Sequence, residues 1–240
     1  MLVKSEGIVL QNIKYADKKS ILKVYTKQHG LLTFYAISSK SPNSKIKTAS
    51  ILPLYQIELS FVLKQNRDVQ QLTESNILYT YEGISRDYHK LAIAQFLNEI
   101  LIKTIKEQIP NEDLFSFVTT TYKWLNESEA HFSNIHIYFL QELSKYLGFE
   151  PHNNYASDAP YFDVREGRFS SMALSFPLGF TKEQSALFAK LLNADVLTTG
   201  MSRAERNEVL ECWLSLYKIH VAGFNELRSY EILKQLFNEV

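Results

Sequence analysis

The fold is decided by residues 19–37, KSILKVYTKQHGLLTFYAI, where two short apolar runs are separated by turn residues. In the first run, alternate positions hold Ser20, Leu22, Val24 and Thr26, and the positions between them hold Lys19, Ile21, Lys23, Tyr25 and Lys27. Successive side chains of a β-strand point to opposite faces. The alternation therefore predicts a strand with one face toward a core and, on the other, cations around an aromatic ring.

Three more runs of this kind flank the stretch: LVKSEGIVL at 2–10, YQIELSFVL at 55–63 and VQQLTESNILY at 69–79. A polar, basic segment, SSKSPNSKIKTAS, separates the third run from the fourth. Five short strands with an insertion after the third are typical of a closed Greek-key barrel of the OB type. Other small barrels also fit this pattern.

After residue 83 the pattern becomes helical. Apolar residues recur at three- and four-residue intervals over 93–105, 114–125 and 139–147, and Gly148 follows as a helix-ending residue. Thr181 with Gln184, and Ser202 with Glu205, have the spacing of capping boxes. The sequence thus predicts an α+β multidomain protein, with a five-stranded OB-fold barrel over 1–80 and an α-helical bundle over 81–240.

One stretch interrupts the helices, PHNNYASDAPYFDVREGRFSS at 151–171. Its Asn, Ser-Asp and Pro residues disfavour a helix, whereas YFDV and RFSS flank the turn REG, in which Gly167 suits a left-handed conformation. We expect a small β-hairpin inserted between helices.

The composition of the chain indicates its cellular compartment and excludes some kinds of disulfide and metal site. The N-terminus lacks the cationic start and apolar run of a secretory signal, and no run approaches the roughly 20 apolar residues of a membrane span. We expect a cytoplasmic protein without membrane contact. The single cysteine, Cys212, excludes an internal disulfide framework and a cysteine-rich zinc site, and its helical spacing predicts burial.

The net charge of zero conceals an asymmetry between the two predicted domains. Residues 1–80 carry eleven Lys and Arg against five Asp and Glu, whereas residues 81–240 carry fifteen against twenty-one. A polyanion is therefore attracted to the first domain. The candidate DNA-binding residues are Lys14, Tyr15, Lys18, Lys19, Lys23, Tyr25, Lys27, Lys40, Lys45 and Lys47. The alternative is that these lysines only protect an exposed strand from aggregation.

A search for catalytic motifs finds none. The chain has no Gly-rich phosphate loop, no G-x-S-x-G and no H-E-x-x-H, and His131 and His136 are not spaced to share a helix face. Four residues of the insertion have side chains of the kind found in an oxygen-rich metal site: His152, Asp158, Asp163 and Glu166. We interpret them instead as solvated residues of turns. We expect no enzyme, no cofactor and no metal.

The stretch GIVLQNIKYADKKSILKVYTKQHGLLTFYAISSK at 7–40 resembles the start of the RecO family of bacterial recombination mediators. LGFEP at 147–151 and YKIHVAGFNELRSYEIL at 217–233 resemble later landmarks of that family, in the same order. The resemblance implies a protein that binds single-stranded DNA, anneals complementary strands and engages the acidic C-terminal tail of single-stranded-DNA-binding protein. It also implies action with RecR, indirect help to RecA loading, and association with the nucleoid during repair.

Two departures from the family pattern matter. Many family members hold zinc with four cysteines in the insertion, but 151–171 has none, so zinc is not expected. We expect instead an aromatic core, docked on helices, of Tyr155, Tyr161, Phe162 and Phe169; its role is structural or, alternatively, a partner surface. The loop after the third strand, often rich in Arg and Gly in the family, has lysine and no arginine, which removes bidentate contacts to phosphate.

The acidic tail would need an apolar pocket rimmed by cations. Its position is not fixed by sequence, and the candidate cations are Arg165, Arg168, Arg203, Arg206 and Arg228. Two other function classes stay open. One is an adaptor whose barrel binds a partner protein rather than DNA, and the other is an enzyme with an unrecognised site.

Overall fold

A computed structural model describes residues 2–64, 66–106 and 109–238, with side chains described up to residue 235. The chain forms two compact units, Met1–Glu127 and Ser128–Val240. Strands do give way to helices near residue 80, as the sequence predicts, but three helices belong to the first unit together with the barrel. The compact units consequently divide at 127/128 rather than at the end of the last barrel strand.

The first unit contains a closed five-stranded barrel with the strand order β1-β2-β3-β5-β4. The strands are β1 (Leu2–Ala16), β2 (Lys19–Thr26), β3 (Gly30–Ile37), β4 (Gln56–Val62) and β5 (Val69–Tyr79). All neighbours pair antiparallel except β3 and β5, which are parallel. This arrangement confirms the predicted OB-type barrel.

The alternation in β2 places one set of its side chains, which includes Leu22 and Val24, inside the barrel. Leu22 and Val24 are fully buried, and register pairs Leu22 with Phe34 on β3. Gly30, at φ +64°, begins β3 and ends the tight turn from β2. Because only one face of β2 enters the core, its lysines remain outside the barrel.

The insertion between β3 and β4 closes one end of the barrel. A short 3₁₀ helix, Thr48–Ile51, follows an extended segment, and Ile46 and Ile51 are buried with the barrel core. The Asn12 side-chain amide donates to the carbonyl of Ile51 at 2.8 Å. The hydroxyls of Ser50 and Ser75 lie 2.6 Å apart in buried surroundings.

Three helices complete the first unit: α1 (Glu82–Arg86), α2 (Tyr88–Thr104) and α3 (Glu112–Glu127). The Asp87 carboxylate caps α2 by accepting from the backbone amides of His89 and Lys90 at 2.8 and 3.2 Å. The Asn98 side-chain amide of α2 donates to the carbonyl of Leu10 at 2.7 Å, beside an irregularity in the β1–β2 pairing. This bond gives a polar backbone group on β1 a partner under the helix.

The second unit is mainly helical and carries the predicted hairpin. Its elements are α4 (Ile135–Tyr146), β6 (Tyr161–Asp163), β7 (Arg168–Ser170), α5 (Lys182–Leu192), α6 (Arg203–His220) and α7 (Arg228–Asn238). Both predicted capping boxes are present, at Thr181 for α5 and Ser202 for α6. Gly148 follows α4 at φ +78°, and Gly167 lies in the β6–β7 turn at φ +64°, so the predicted helix end at Gly148 and the predicted left-handed position of Gly167 are both confirmed.

The hairpin packs through an aromatic core. Phe162 and Phe169 are buried with ring centroids 4.9 Å apart, and Phe162 also contacts Phe180 and Phe188 at 5.1 and 5.0 Å. Phe188 in turn lies 5.1 Å from Trp213 on α6. The prediction of a packed hairpin docked on helices is confirmed, although helix residues supply much of its core.

The two tyrosines predicted for that core lie at its edge. Tyr155 is 40% exposed and meets Phe169 edge-on, and Tyr161 is half-buried. A ring nitrogen of His220, near the end of α6, lies 2.7 Å from the carbonyl oxygen of Val164. This contact adds a polar link between the hairpin and α6.

Candidate nucleic-acid interface

The outer surface of the barrel carries exposed apolar and aromatic side chains on three adjacent strands. Register places Ile21 of β2 between Ile13 of β1 and Tyr35 of β3. Ile13 and Tyr15 are 50% and 55% exposed, and Tyr35 is half-buried. We call these residues, together with Ile37 at the end of β3, the outer patch: Ile13, Tyr15, Ile21, Tyr35 and Ile37.

The two tyrosines of the outer patch contact each other. Partial desolvation, and then a hydrogen bond with the Tyr35 side chain, raise the pKa of Tyr15 above its ordinary value. The two rings therefore share one surface of the barrel. Aromatic rings in this setting can stack with nucleobases.

Lysines surround the outer patch. Lys19 begins β2, and Lys23 lies between Gln11 of β1 and Thr33 of β3. The carbonyl of Lys18 accepts a hydrogen bond from the Ser38 amide at 2.8 Å, which holds the β1–β2 turn against the end of β3. The cations at this end of the barrel thus come from two separate parts of the sequence.

The segment after β3 contributes its lysines at the same end. Ser39 pairs with Lys47 in a parallel bridge, and the Lys45 carbonyl accepts from the Ser75 amide at 2.9 Å. Lys45 and Lys47 are exposed on either side of buried Ile46. We call the exposed lysines of this end the basic rim: Lys14, Lys18, Lys19, Lys40, Lys45 and Lys47.

The basic rim has no carboxylate partners within the described parts of the chain. The ion pairs of the structure involve other residues, so neither the rim lysines nor Lys23 are neutralised by Asp or Glu at close range. Lysines without an internal partner can neutralise phosphates without first breaking an ion pair.

Lys27 lies away from the rim. It follows β2 at the opposite end of the strand from Lys19, and its backbone amide donates to the carbonyl of Glu6 at 2.9 Å. Along a strand that rises about 3.3 Å per residue, the two backbones are roughly 26 Å apart. The structure therefore does not bring Lys27 together with the other candidate lysines.

Tyr25 has to be removed from the candidate interface. Its side chain is only 1% exposed, its ring lies 5.9 Å from that of Phe115 on α3, and its hydroxyl donates to the Asn111 carbonyl at 3.3 Å. The alternation correctly placed Tyr25 outside the barrel, but α3 covers that part of β2. A ring enclosed in this way cannot stack on a base.

Tyr35 is the aromatic residue that the sequence analysis missed. The run LLTFYAI alternates in the same way as β2, with Leu32, Phe34 and Ala36 buried in the core and Tyr35 outside. Applying the two-residue period to β3 would have identified it. The outer face of this region is also the surface with which OB folds bind oligonucleotides.

The hairpin residues do not fit a zinc site. The insertion has no cysteine, and its interior is filled by Phe162, Phe169 and neighbouring rings. Within the described residues, no group of three or more His, Cys, Asp or Glu side chains is arranged to hold a metal ion. Asp163 accepts instead from the backbone amides of Arg165 and Glu166 in the hairpin turn. Its carboxylate therefore has a structural role in that turn.

The described part of the chain has no helix that is both long and apolar enough to cross a lipid bilayer. Burial raises the pKa of the Cys212 thiol, chiefly by desolvation, which opposes formation of a reactive thiolate. Cys212 is 1% exposed on α6, as its spacing predicts.

Comparison with known proteins gives two family matches. The family described as Recombination protein O N terminal matches residues 1–81, and Recombination protein O C terminal matches residues 85–230. DNA repair protein RecO of Flavobacterium psychrophilum is 33% identical over 245 residues, which cover 99% of this chain and 100% of the relative. The proteins of the same name from Phocaeicola vulgatus and Bacteroides fragilis are each 30% identical, with the same coverage.

Proposed function

Because this chain belongs to the Recombination protein O (RecO) family of DNA repair proteins, we propose that it binds single-stranded DNA with the outer patch and the basic rim. One observation carries the proposal: two neighbouring tyrosine rings and a set of lysines without carboxylate partners among the described residues occupy the same face of an OB-type barrel. Bases stack on the rings, and phosphates approach the lysines.

Annealing follows from this arrangement, in which the tyrosine rings hold bases and the lysines hold phosphates. Two complementary strands repel each other through their phosphates, and a basic surface lowers that repulsion by releasing counterions. A strand held by its backbone and by stacking exposes the hydrogen-bonding edges of its bases. A second strand then pairs with those edges without displacing the protein first. No covalent step is required, which agrees with the absence of catalytic motifs from the sequence.

Partner proteins complete the proposed role. The protein engages the acidic C-terminal tail of single-stranded-DNA-binding protein and acts with RecR, so that RecA can load on the strand. The tail needs an apolar pocket with cations at its rim. A cavity of about 520 Å³ in the second unit has this character, with apolar Leu214, Phe224 and Leu227 beside Lys218 and Arg228. We assign the tail to this cavity.

Carboxylates limit how that cavity can work. Glu226 and Glu231 also line it and repel an acidic ligand. The terminal hydrophobic residue of the tail must therefore supply much of the affinity by entering the apolar part. An Arg228→Glu variant is expected to lose tail-peptide binding in calorimetry while it retains binding to single-stranded DNA.

An adaptor function is the second candidate. The outer patch includes exposed Ile13 and Ile37 beside its two tyrosines, and exposed apolar side chains also suit a protein partner. The two functions differ in their response to salt. A DNA-binding surface loses affinity steeply as salt rises, whereas an apolar protein interface does not.

The deciding experiment is fluorescence anisotropy of a labelled single-stranded oligonucleotide across a salt series. For wild-type protein, log K should fall linearly with log salt, by about 0.7 for each phosphate neutralised. The Lys19→Glu/Lys23→Glu variant should bind weakly with a shallower slope. Lys182→Glu/Lys190→Glu makes the same charge change on exposed residues of α5 and should behave as wild type. Absence of wild-type binding even at low salt would favour the adaptor.

A further inference from the structure

A cavity of about 450 Å³ in the second unit is separate from the pocket assigned to the tail. It lies between the segment that precedes α4 and the segment that precedes α6. Its wall includes His131, Ser133, Asn134, Leu197, Met201 and Arg206, and no Asp or Glu side chain lines it. The cavity therefore combines a cation with neutral polar groups and a small apolar wall.

Arg206 is the central feature of this cavity. Its Nε–H donates to the Asn134 side-chain oxygen at 2.9 Å, and one Nη2–H donates to the Met201 carbonyl at 3.2 Å. A guanidinium has five N–H donors, so about three remain for a ligand. Within the described chain Arg206 has no carboxylate partner, although its side chain is partly buried.

The electrostatic surroundings of Arg206 are positive. Desolvation, and then the charge of Arg203, lower the pKa of Arg206. The charge of Arg206 also contributes, after burial, to lowering the pKa of His136 to about 3. Asn134, in the cavity wall, is the N-cap residue of α4, and the N-terminus of this helix adds its partial positive charge. An anion in the cavity would stabilise this arrangement.

The hydroxyl groups around the cavity differ in availability. Thr198 and Thr199 already donate to Asp195, at 3.0 Å to its carboxylate and 2.7 Å to its carbonyl, respectively. The Asp195 carboxylate also accepts from the Leu197 amide at 3.1 Å, so this nearby anion is engaged within its own turn. Ser133 and His131, which line the cavity from the segment before α4, are additional donors.

We propose that this cavity binds the phosphate group of a nucleotide. A phosphate offers acceptor oxygens in several directions, which suits a cavity with donors on Arg206, Ser133 and His131 better than a planar carboxylate does. The volume is within the range of about 300–1,000 Å³ for small-ligand sites, so a nucleoside attached to the phosphate also has room. Leu197 and Met201 supply the apolar wall for it. The site extends beyond the proposed function of the barrel and does not depend on it.

Isothermal titration calorimetry on the full-length protein tests the proposal. The probes are inorganic phosphate, deoxyadenosine 5′-monophosphate and deoxyadenosine, at matched ionic strength. Saturable binding is expected for phosphate and the nucleotide, but not for the nucleoside. Tighter binding of the nucleotide would identify a nucleotide-derived source, and equal binding would identify free phosphate.

Variants separate the site from general effects of charge and folding. Arg206→Gln should weaken binding by at least about tenfold, the typical loss for hydrogen bonds to a charged group. Because Arg206 also contacts Asn134, the thermal unfolding of the Arg206→Gln variant must be measured and compared with that of wild type. Ser133→Ala leaves those contacts intact and should weaken binding several-fold. Lys182→Glu changes an exposed charge on α5 that does not line the cavity and should bind phosphate as wild type does.

Three results would overturn the proposal. The first is no saturable heat with either phosphate-containing probe. The second is undiminished binding in both folded Arg206→Gln and Ser133→Ala. The third is binding of an acidic peptide in this cavity, detected by its loss in Ser133→Ala, without binding of the nucleotide.

Discussion

Replacing Tyr35 by alanine removes one stacking ring from the outer patch and leaves every lysine in place. Stacking of a base on an aromatic side chain contributes about 1–3 kcal/mol, so affinity for a single-stranded oligonucleotide should fall roughly 5- to 150-fold. The slope of log K against log salt should not change, because no phosphate contact is lost. Half-buried Tyr35 lies on the outer face of β3, so the barrel core keeps its packing.

The assay is fluorescence anisotropy with two matched controls. Tyr35→Phe keeps the ring and should retain most of the affinity. Tyr25→Phe removes the hydroxyl that donates to the Asn111 carbonyl at 3.3 Å, a change that should lower stability by about 0.5–1.5 kcal/mol without altering DNA affinity. If folded Tyr35→Ala binds as tightly as wild type, stacking on the outer patch is refuted.

Three further predictions concern the second unit. Phe162→Ala should lower the free energy of unfolding by about 3–5 kcal/mol in urea denaturation, because Phe162 contacts Phe169, Phe180 and Phe188; a loss below 1 kcal/mol would contradict the aromatic core. A chelator should leave the thermal midpoint of unfolding unchanged, and a clear decrease would indicate a structural metal. Burial and the charge of Arg206 lower the pKa of His136 from 6.5 to about 3 in the folded protein. As the pH falls below about 6.5, His136 therefore binds a proton in the unfolded chain but not in the folded chain. Stability should then fall below that pH by up to about 1.4 kcal/mol per pH unit, and equal pH slopes for wild type and His136→Leu would disprove this cause.

Local patterns predicted the elements of the fold well. The alternation of β2 placed Leu22 and Val24 in the barrel core, and the capping-box spacing located the start of α5 at Thr181. These features depend on neighbours within a few residues, so sequence contains the whole signal. Gly167 is similar, because a hairpin turn of this length needs a left-handed residue.

The candidate interface was only partly predictable, because its composition depends on packing between distant segments. Nothing in β2 indicates that α3 would cover Tyr25, whereas Tyr35, on a strand with the same period, stays accessible. The grouping of Lys18 with Lys47 follows from backbone bonds through Ser38 and Ser39, which a linear pattern does not show.

The cavity at Arg206 in the second unit could not be predicted from the sequence for the same reason, since it depends on packing between distant segments. The sequence identified Arg206 as a candidate cation for a binding pocket but did not show where in the fold its side chain lies. Its hydrogen bonds to Asn134 and Met201 join segments that are far apart in the chain. Only the folded structure shows that two of its donors are used within the protein and that Arg206 lines the cavity.

Lysine footprinting locates the DNA-binding surface of the protein. The protein is acetylated with and without a saturating single-stranded oligonucleotide, and protection at each lysine is measured by mass spectrometry. We expect protection of Lys18, Lys19 and Lys23, and unchanged acetylation of Lys182 and Lys190 on α5. Protection confined to the α5 lysines, or equal at all five positions, would contradict a DNA interface on the outer patch and the basic rim.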